Sequence, residues 1–389
     1  VIASKRRITR LVLVFGILAG VASIFYQLSI LDLGFGGDFK VYYFAVKDWL
    51  TGGPVYGTDV GTYPLPFLYP PLTLLILLPL AIFPTWGMAY LAVAILQIGA
   101  GILLSQLIVR FLRRYDVKLS WVDSVLLSLF CIASILTIGG IRNGNINVFL
   151  TLFVTLAAVM AYERREIAAS TLFVFSTLFK LFLPPCGIWF VAKKRWRAVV
   201  GCVVFGGVAV VLNLLVSVGM TERYVAMVFS YSEGRVPAEG IPVDAIAVSL
   251  LRPLSQLLDF GGSALSVIAM MFMLCVVGYL AYETDGLIGD MHLLFWVLLI
   301  PTMVAYKEYL EFVIFPLFVL LYIVENTTEY VILAAGSLLI ISNFRFEIYS
   351  AIVSGPLLEL GELLFTVGSV PLYGIAVMLL GAVYHHHSK

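Results

Sequence analysis

One acid, Asp38, stands out as a group placed to do chemistry. It opens the segment GGDFKVYYFAVKDWLTGG (36–53), between the first apolar stretch and a Pro- and Tyr-rich run at 63–72. A carboxylate held among aromatics just beyond a membrane helix can act as general base toward a substrate hydroxyl. Asp is also a favoured helix N-cap, and the two roles are compatible. Phe39, Tyr42, Tyr43, Val46 and Leu50 recur near helical spacing, while Lys40, Lys47 and Asp48 are polar. That pattern predicts a helix lying on the membrane face, with its tyrosines as interfacial anchors or substrate contacts. No second acid forms a DxD pair with Asp38, and Asp59 in YGTDVGTY reads as a turn residue. No metal and no cofactor are therefore expected.

Other polar residues invite a ligand. Arg142, Asn143 and Asn145 lie in GGIRNGN (139–145), which reads either as a tight turn or as hydrogen-bonding groups for a sugar or phosphate. Lys180 is expected inside an apolar helix, LFKLFLPP, where a lysine faces protein or water and either contacts a ligand or pairs with an acid. Arg252 in LLRPL offers a guanidinium fork suited to phosphate oxygens. Lys307 is a further cation, with Glu308 and Glu311 as local ion-pair partners; Lys40, Arg223, Arg235 and Arg345 complete the outer-side set. Each of these cations could instead snorkel to lipid headgroups.

The elements that must position these groups are membrane helices. The 389 residues are 61% hydrophobic and 12% charged, with a mean hydropathy of +1.04. A soluble chain carries roughly 25% charged residues. Repeated apolar runs of about 17–25 residues predict an all-α polytopic membrane protein of about 10–12 transmembrane helices. A net charge of +1 gives no support for a nucleic-acid partner. Cys131, Cys186, Cys202 and Cys275 lie in apolar stretches with no CxxC pair and read as buried structural thiols. The chain opens on Val1, which suggests that its true start lies upstream, and the terminal run from His385 is left out of site reasoning.

Basic residues before Leu11–Ile30 place the N-terminus in the cytoplasm. The clusters at 4–10, 110–118, 162–166 and 193–197 hold 14 of the 24 Lys and Arg, and all fall on that side of the threading. Three polar segments then collect outside: the first loop (31–70) with its juxtamembrane helix, the hairpin tip (139–145) between spans 121–140 and 145–161, and a long loop (219–262) with turn signals at 232–242. Leu72–Phe83 is too short to cross alone, and Ile167–Val191, interrupted by Pro184-Pro185, predicts two short helices folding back at depth. His292 is assigned to a cytoplasmic helix end without a role. The chain reads as one membrane domain over 1–389, with a motif-bearing module at 1–218 and the outer loop plus C-terminal helices at 219–389.

Asp38, VYYFA (41–45), GGPVY (52–56), FLYPPL (67–72) and LPLAIFP (78–84) together resemble the polyprenol-phosphate-mannose-dependent mannosyltransferases of the GT-C fold, among them those that extend phosphatidylinositol mannosides. NGNIN (143–147) resembles the family's Gly-Gln-x-Asn motif, with Asn145 where Gln is usual. LFKLFLPP and KKRWRA (178–198) resemble its lysine- and proline-bearing helix and its basic tryptophan turn. The likeness covers the N-terminal half, in order.

The resemblance implies a GT-C glycosyltransferase-like fold and an inverting transfer from a polyprenyl-phosphate-linked sugar, mannose first, to a lipid or glycan acceptor. Asp38 maps to the catalytic base. Arg252, Lys180, Arg142 and Lys307 are the candidates for the donor phosphate, and Tyr42, Tyr43, Asn143, Asn145, Tyr69 and Tyr306 for substrate contacts. The expected setting is the plasma membrane, with the active site on its extracytoplasmic face. One departure is IPTMVAYKEYLEF (300–312), which has Tyr306 and Lys307 where the family often carries a histidine. The rival class is a flippase or transporter of lipid-linked sugars, which predicts inverted repeats and mid-membrane ionisable pairs. Apart from Lys180, none stands out in the sequence.

Overall fold

The computed structural model describes residues 2–29, 34–56, 67–180, 183–234, 271, 274–281, 286–299, 307–342, 355 and 370–387. Among these residues there is helix and no strand. Three helices are long and apolar enough to cross a membrane: α1 (Ile2–Ser29), α4 (Trp86–Arg114) and α10 (Trp196–Val216). Several shorter apolar helices accompany them. The chain is an all-helical, polytopic membrane protein.

The chain divides into two compact units that interleave in sequence. The first holds Val1–Leu31, Gly101–Gly139 and Pro237–Lys389; the second holds Asp32–Ala100 and Gly140–Val236.

In the first unit, α1 packs on α5 (Trp121–Ala133) and on α14 (Thr327–Ile341). Glycines permit that approach. A Cβ at Gly16 would fall 2.3 Å from the Phe130 ring, and one at Gly20 would fall 2.0 Å from the Ala133 carbonyl oxygen. The span expected over 121–140 stops at Ala133, and Ile135 then donates its N–H to the Gly16 carbonyl at 3.2 Å. A backbone donor freed by the break is thus satisfied within the protein, as lipid requires.

Polar ties fasten this unit. Asp123 is fully buried; it receives Arg10 Nε at 2.6 Å and closes a capping box with Ser120 at the start of α5. Thr9 and Tyr330 join their hydroxyls at 2.8 Å. His292 lies within α12 (Gly286–Leu299) and is buried. Its Nε2 stands 3.2 Å from one oxygen of Glu329, and His385 Nδ1 stands 3.1 Å from the other. The terminal histidine set aside above is therefore a buried tie between α14 and α15 (Val370–His387). α12 and α13 (Ile314–Ile323) are apolar nearly all round, as helices enclosed by others are.

The second unit is built from α2 (Gly37–Leu50), α3 (Leu72–Leu77), the first half of α4, and α7 (Asn147–Tyr162) through α11 (Val218–Gly234). α3 runs into a 3-10 turn at Leu78–Ile82, so the stretch is a short broken helix. α8 (Glu166–Phe179) also breaks, before a 3-10 turn at Pro184–Gly187 and α9 (Ile188–Ala192). The long loop expected from Gly219 begins instead as α11. Ser217 initiates it, accepting the Met220 N–H on its hydroxyl at 3.2 Å, and Tyr224 and Met227 bury one face. The rest of that loop lies outside the described residues.

Two variants test this packing by thermal unfolding of the purified protein. α14 and α15 approach through Gly336 and Gly374, where a Cβ at Gly374 would lie 2.7 Å from Ile340 N and 2.8 Å from Gly336 O. Because backbone cannot yield as a side chain can, Gly374→Ala should destabilise by about 1–3 kcal/mol. Asp123→Ala removes the α5 cap and the Arg10 partner and should cost about 2 kcal/mol. A midpoint unchanged from wild type in either variant would contradict the corresponding packing.

Candidate active site

Asp38 is the second residue of α2, in its first turn. It is not the N-cap: Gly36 holds that position with φ of +71°, and no side chain caps the helix. Glycine tolerates that left-handed backbone without a Cβ penalty. The carboxylate is therefore left for other partners, at a helix end where the macrodipole favours an anion. It is half-buried.

A second segment docks on this helix start. α6 (Ile138–Asn143) ends in Gly144 with φ of +70°, and the chain doubles back through Asn145 into α7. The Gly36 N–H donates to the Arg142 carbonyl at 2.8 Å, and Tyr90 Oη reaches the same oxygen at 3.0 Å. A Cβ on Gly144 would lie 2.4 Å from Phe39 Cβ, so the two backbones meet where only glycine fits. Asn145 is then brought against Asp38, its Nδ2 donating to Oδ2 at 3.0 Å. Gln97, fully buried in α4, holds the Asn145 backbone carbonyl through Nε2 at 2.5 Å. The tip expected to be an outer turn is thus largely buried: Ile141, Arg142 and Asn145 are each at most 8% exposed.

The aromatic residues of α2 differ from expectation in the same way. Phe39, Tyr42 and Tyr43 are buried within the protein and do not lie on a membrane face. Tyr42 and Tyr69 join hydroxyls at 2.8 Å, and Tyr43 donates to the Phe83 carbonyl at 3.0 Å. Tyr56 donates to the Tyr69 carbonyl at 2.8 Å, and its ring meets those of Phe67 and Tyr224. This aromatic wall starts one helical turn from Asp38, since Tyr42 follows it by four residues on the same face of α2. Its hydroxyls are largely engaged by protein, that of Tyr43 by the Phe83 carbonyl.

Among the candidate cations, Arg142 sends Nη2 to the Asn143 side-chain oxygen and is 8% exposed. Lys180 is also buried, but it is the residue that ends α8, in extended conformation, and does not lie inside a helix as expected. Pro184 and Pro185, which follow, stand in the first positions of a 3-10 turn. Lys40 Nζ stands 4.4 Å from the Trp86 ring centroid, and Arg223 is exposed. Arg252 and Tyr306 lie outside the described residues, as do Asp59, Arg235 and Arg345 and the side chains of Lys307 and Glu308. Among the described residues no group of three or more His, Cys, Asp or Glu side chains is arranged to hold a metal ion.

Sequence reasoning missed Gln97, Tyr90 and the two positive-φ glycines. Gln97 carried a readable signal, as an uncharged polar residue in the middle of an apolar span.

In chemical terms, the site is a carboxylate with one oxygen fixed by an amide. It stands at a helix start, beside an aromatic wall. Such a group can accept a proton from a hydroxyl held against it.

Comparison with curated proteins and with solved structures gives no match. The family model described as glycosyltransferase family 87 matches residues 67–305. The match takes in Gln97, Arg142, Asn145 and Lys180 and begins after Asp38. It covers more than half of the chain, and together with the all-helical, polytopic architecture it establishes that the protein belongs to glycosyltransferase family 87, a membrane glycosyltransferase family of the GT-C type.

Proposed function

We propose that the protein transfers a sugar, mannose first, from a polyprenyl-phosphate donor to a hydroxyl of a lipid or glycan acceptor, with inversion, and that Asp38 is the general base. The observation that carries this reading is the Asp38 carboxylate itself, half-buried at the start of α2 with one oxygen held by Asn145. Membership of a membrane glycosyltransferase family supplies the reaction class. The apolar, polytopic chain supports a lipid-borne substrate that reaches the site from the bilayer.

In this mechanism Asp38 takes the proton from the acceptor hydroxyl as that oxygen attacks C1 of the sugar. The bond from C1 to the phosphate oxygen breaks with its electron pair going to the leaving polyprenyl phosphate. Attack in line from the opposite face inverts the anomeric centre. A phosphate is a competent leaving group, so no general acid is required. The departing charge needs cations, and Arg142 and Lys180 are the described candidates, both within the unit that carries Asp38. Arg252 and Lys307 remain assigned to the same task from the sequence. The concentration of Lys and Arg in the four basic clusters supports a cytoplasmic N-terminus and an extracytoplasmic site in the plasma membrane.

Purified protein in liposomes, given polyprenol-phosphate-mannose with lipid and glycan acceptors, tests the reading. Wild type should transfer mannose and release polyprenyl phosphate, and Asp38→Asn should lower the rate by about 10²–10⁴-fold. Transfer by Asp38→Asn at the wild-type rate would remove Asp38 from the mechanism. Donor crossing the bilayer without transfer would favour a flippase instead.

A further inference from the structure

We propose that Gln97 is a positioning residue for the reaction, acting on Asp38 through Asn145; the proposal rests on the reading of Asp38 as the base. Gln97 had no place in the sequence-derived site. It lies in α4, 48 residues before Asn145, yet its amide ends on the residue whose side chain holds the carboxylate.

The geometry forms a chain of two hydrogen bonds. Gln97 is fully buried, and its Nε2 donates to the Asn145 backbone carbonyl at 2.5 Å. Asn145, 5% exposed, donates Nδ2 to Asp38 Oδ2 at 3.0 Å. An ionised carboxylate only accepts hydrogen bonds, so the Asn145 amide must face it with nitrogen. That orientation leaves Asp38 Oδ1 as the oxygen available to an incoming hydroxyl. No hydrogen-bond donor among the described residues reaches Oδ1, and Asp38 keeps partial exposure.

Backbone constraints make the relay stiff. Asn145 N–H donates to the Gly140 carbonyl at 2.8 Å, and Gly144 N–H donates to that of Ile141 at 3.0 Å. The turn thus has its own internal bonds, but these run along the segment. Gln97 supplies a bond from a different element, α4, and so fixes where the turn stands relative to a helix long and apolar enough to cross a membrane. The Asn145 side-chain oxygen and Gln97 Oε1 are buried without a hydrogen-bond partner. The two amides thus commit their donors to one relay, Gln97 to the Asn145 carbonyl and Asn145 to the carboxylate.

The test uses the full-length protein with polyprenol-phosphate-mannose and octyl α-mannoside, reading release of polyprenyl phosphate. Gln97→Met keeps the volume and removes the donor; Gln97→Asn, one methylene too short to reach the carbonyl, is the second variant should the first not accumulate. A misplaced base costs turnover and not binding, so kcat should fall about 10–100-fold with KM within about twofold of wild type. Asn145→Ala should do the same. Because Gln97 acts through Asn145, the double variant Gln97→Met/Asn145→Ala should be no slower than Asn145→Ala alone. Gln97→Met at the wild-type kcat, or losses that multiply in the double variant, would overturn the relay while leaving Asp38 as base if Asp38→Asn is inactive. Asp38→Asn at the wild-type rate, or a wild type that releases no polyprenyl phosphate, overturns the base assignment and the relay with it.

Discussion

The hydrogen bond from the Gly36 N–H to the Arg142 carbonyl is the contact on which the site depends. It joins the residue that starts α2 to the residue that ends α6, and it does so backbone to backbone. Nothing bulkier than hydrogen is tolerated beside it. Gly36 needs its left-handed φ, and Gly144 presses on Phe39 Cβ. The position of Asp38 is therefore inherited from backbone geometry, and its side chain needs little further guidance. One amide, from Asn145, completes the placement.

This economy follows from the solvent. In a bilayer an unpaired N–H or C=O costs several kcal/mol, so irregular backbone survives only where protein satisfies it. The second unit breaks its helices repeatedly: at Leu78 into a 3-10 turn, after Asn143, and after Phe179. At these places side chains take over from the regular ladder. Asn213 Oδ1 accepts the N–H of Leu72 where α3 begins, and Tyr90 and Gln97 serve carbonyls of the α6–α7 turn. The first unit instead uses its buried polar groups to tie helix to helix, as in Arg10 with Asp123 and Glu329 with two imidazoles. These three breaks fall in the unit that carries Asp38, and the ties fasten the other.

Apolar periodicity and the basic clusters sufficed to read the all-helical membrane class, the short helix before α4 and the broken segment after Ile167. Asp38 was legible as an isolated acid among aromatics, and Asn145 as a polar residue at a glycine-flanked bend. What was not legible was their contact, because 107 residues separate them and no local pattern encodes a long-range bond. The aromatic residues of α2 misled for a related reason. Helical spacing of Phe39, Tyr42 and Tyr43 marks one face, but it does not say whether lipid or protein covers that face, and here protein does. Val218–Gly234 was misread because Gly219 suggested a loop, while Ser217 supplies a cap that overrides one glycine.

Gln97 has two simultaneous functions, and they act on different atoms. Towards the backbone, it satisfies a carbonyl that the α6–α7 break would otherwise leave bare, which any membrane protein must do somehow. Towards Asp38, it acts only through the Asn145 side chain, which is the part that can be removed without disturbing that carbonyl. A purely structural glutamine would not care what side chain residue 145 carries. A positioning glutamine loses its effect on the carboxylate once that side chain is gone. The distinction does not need a different structure, because a single amide separates the two functions.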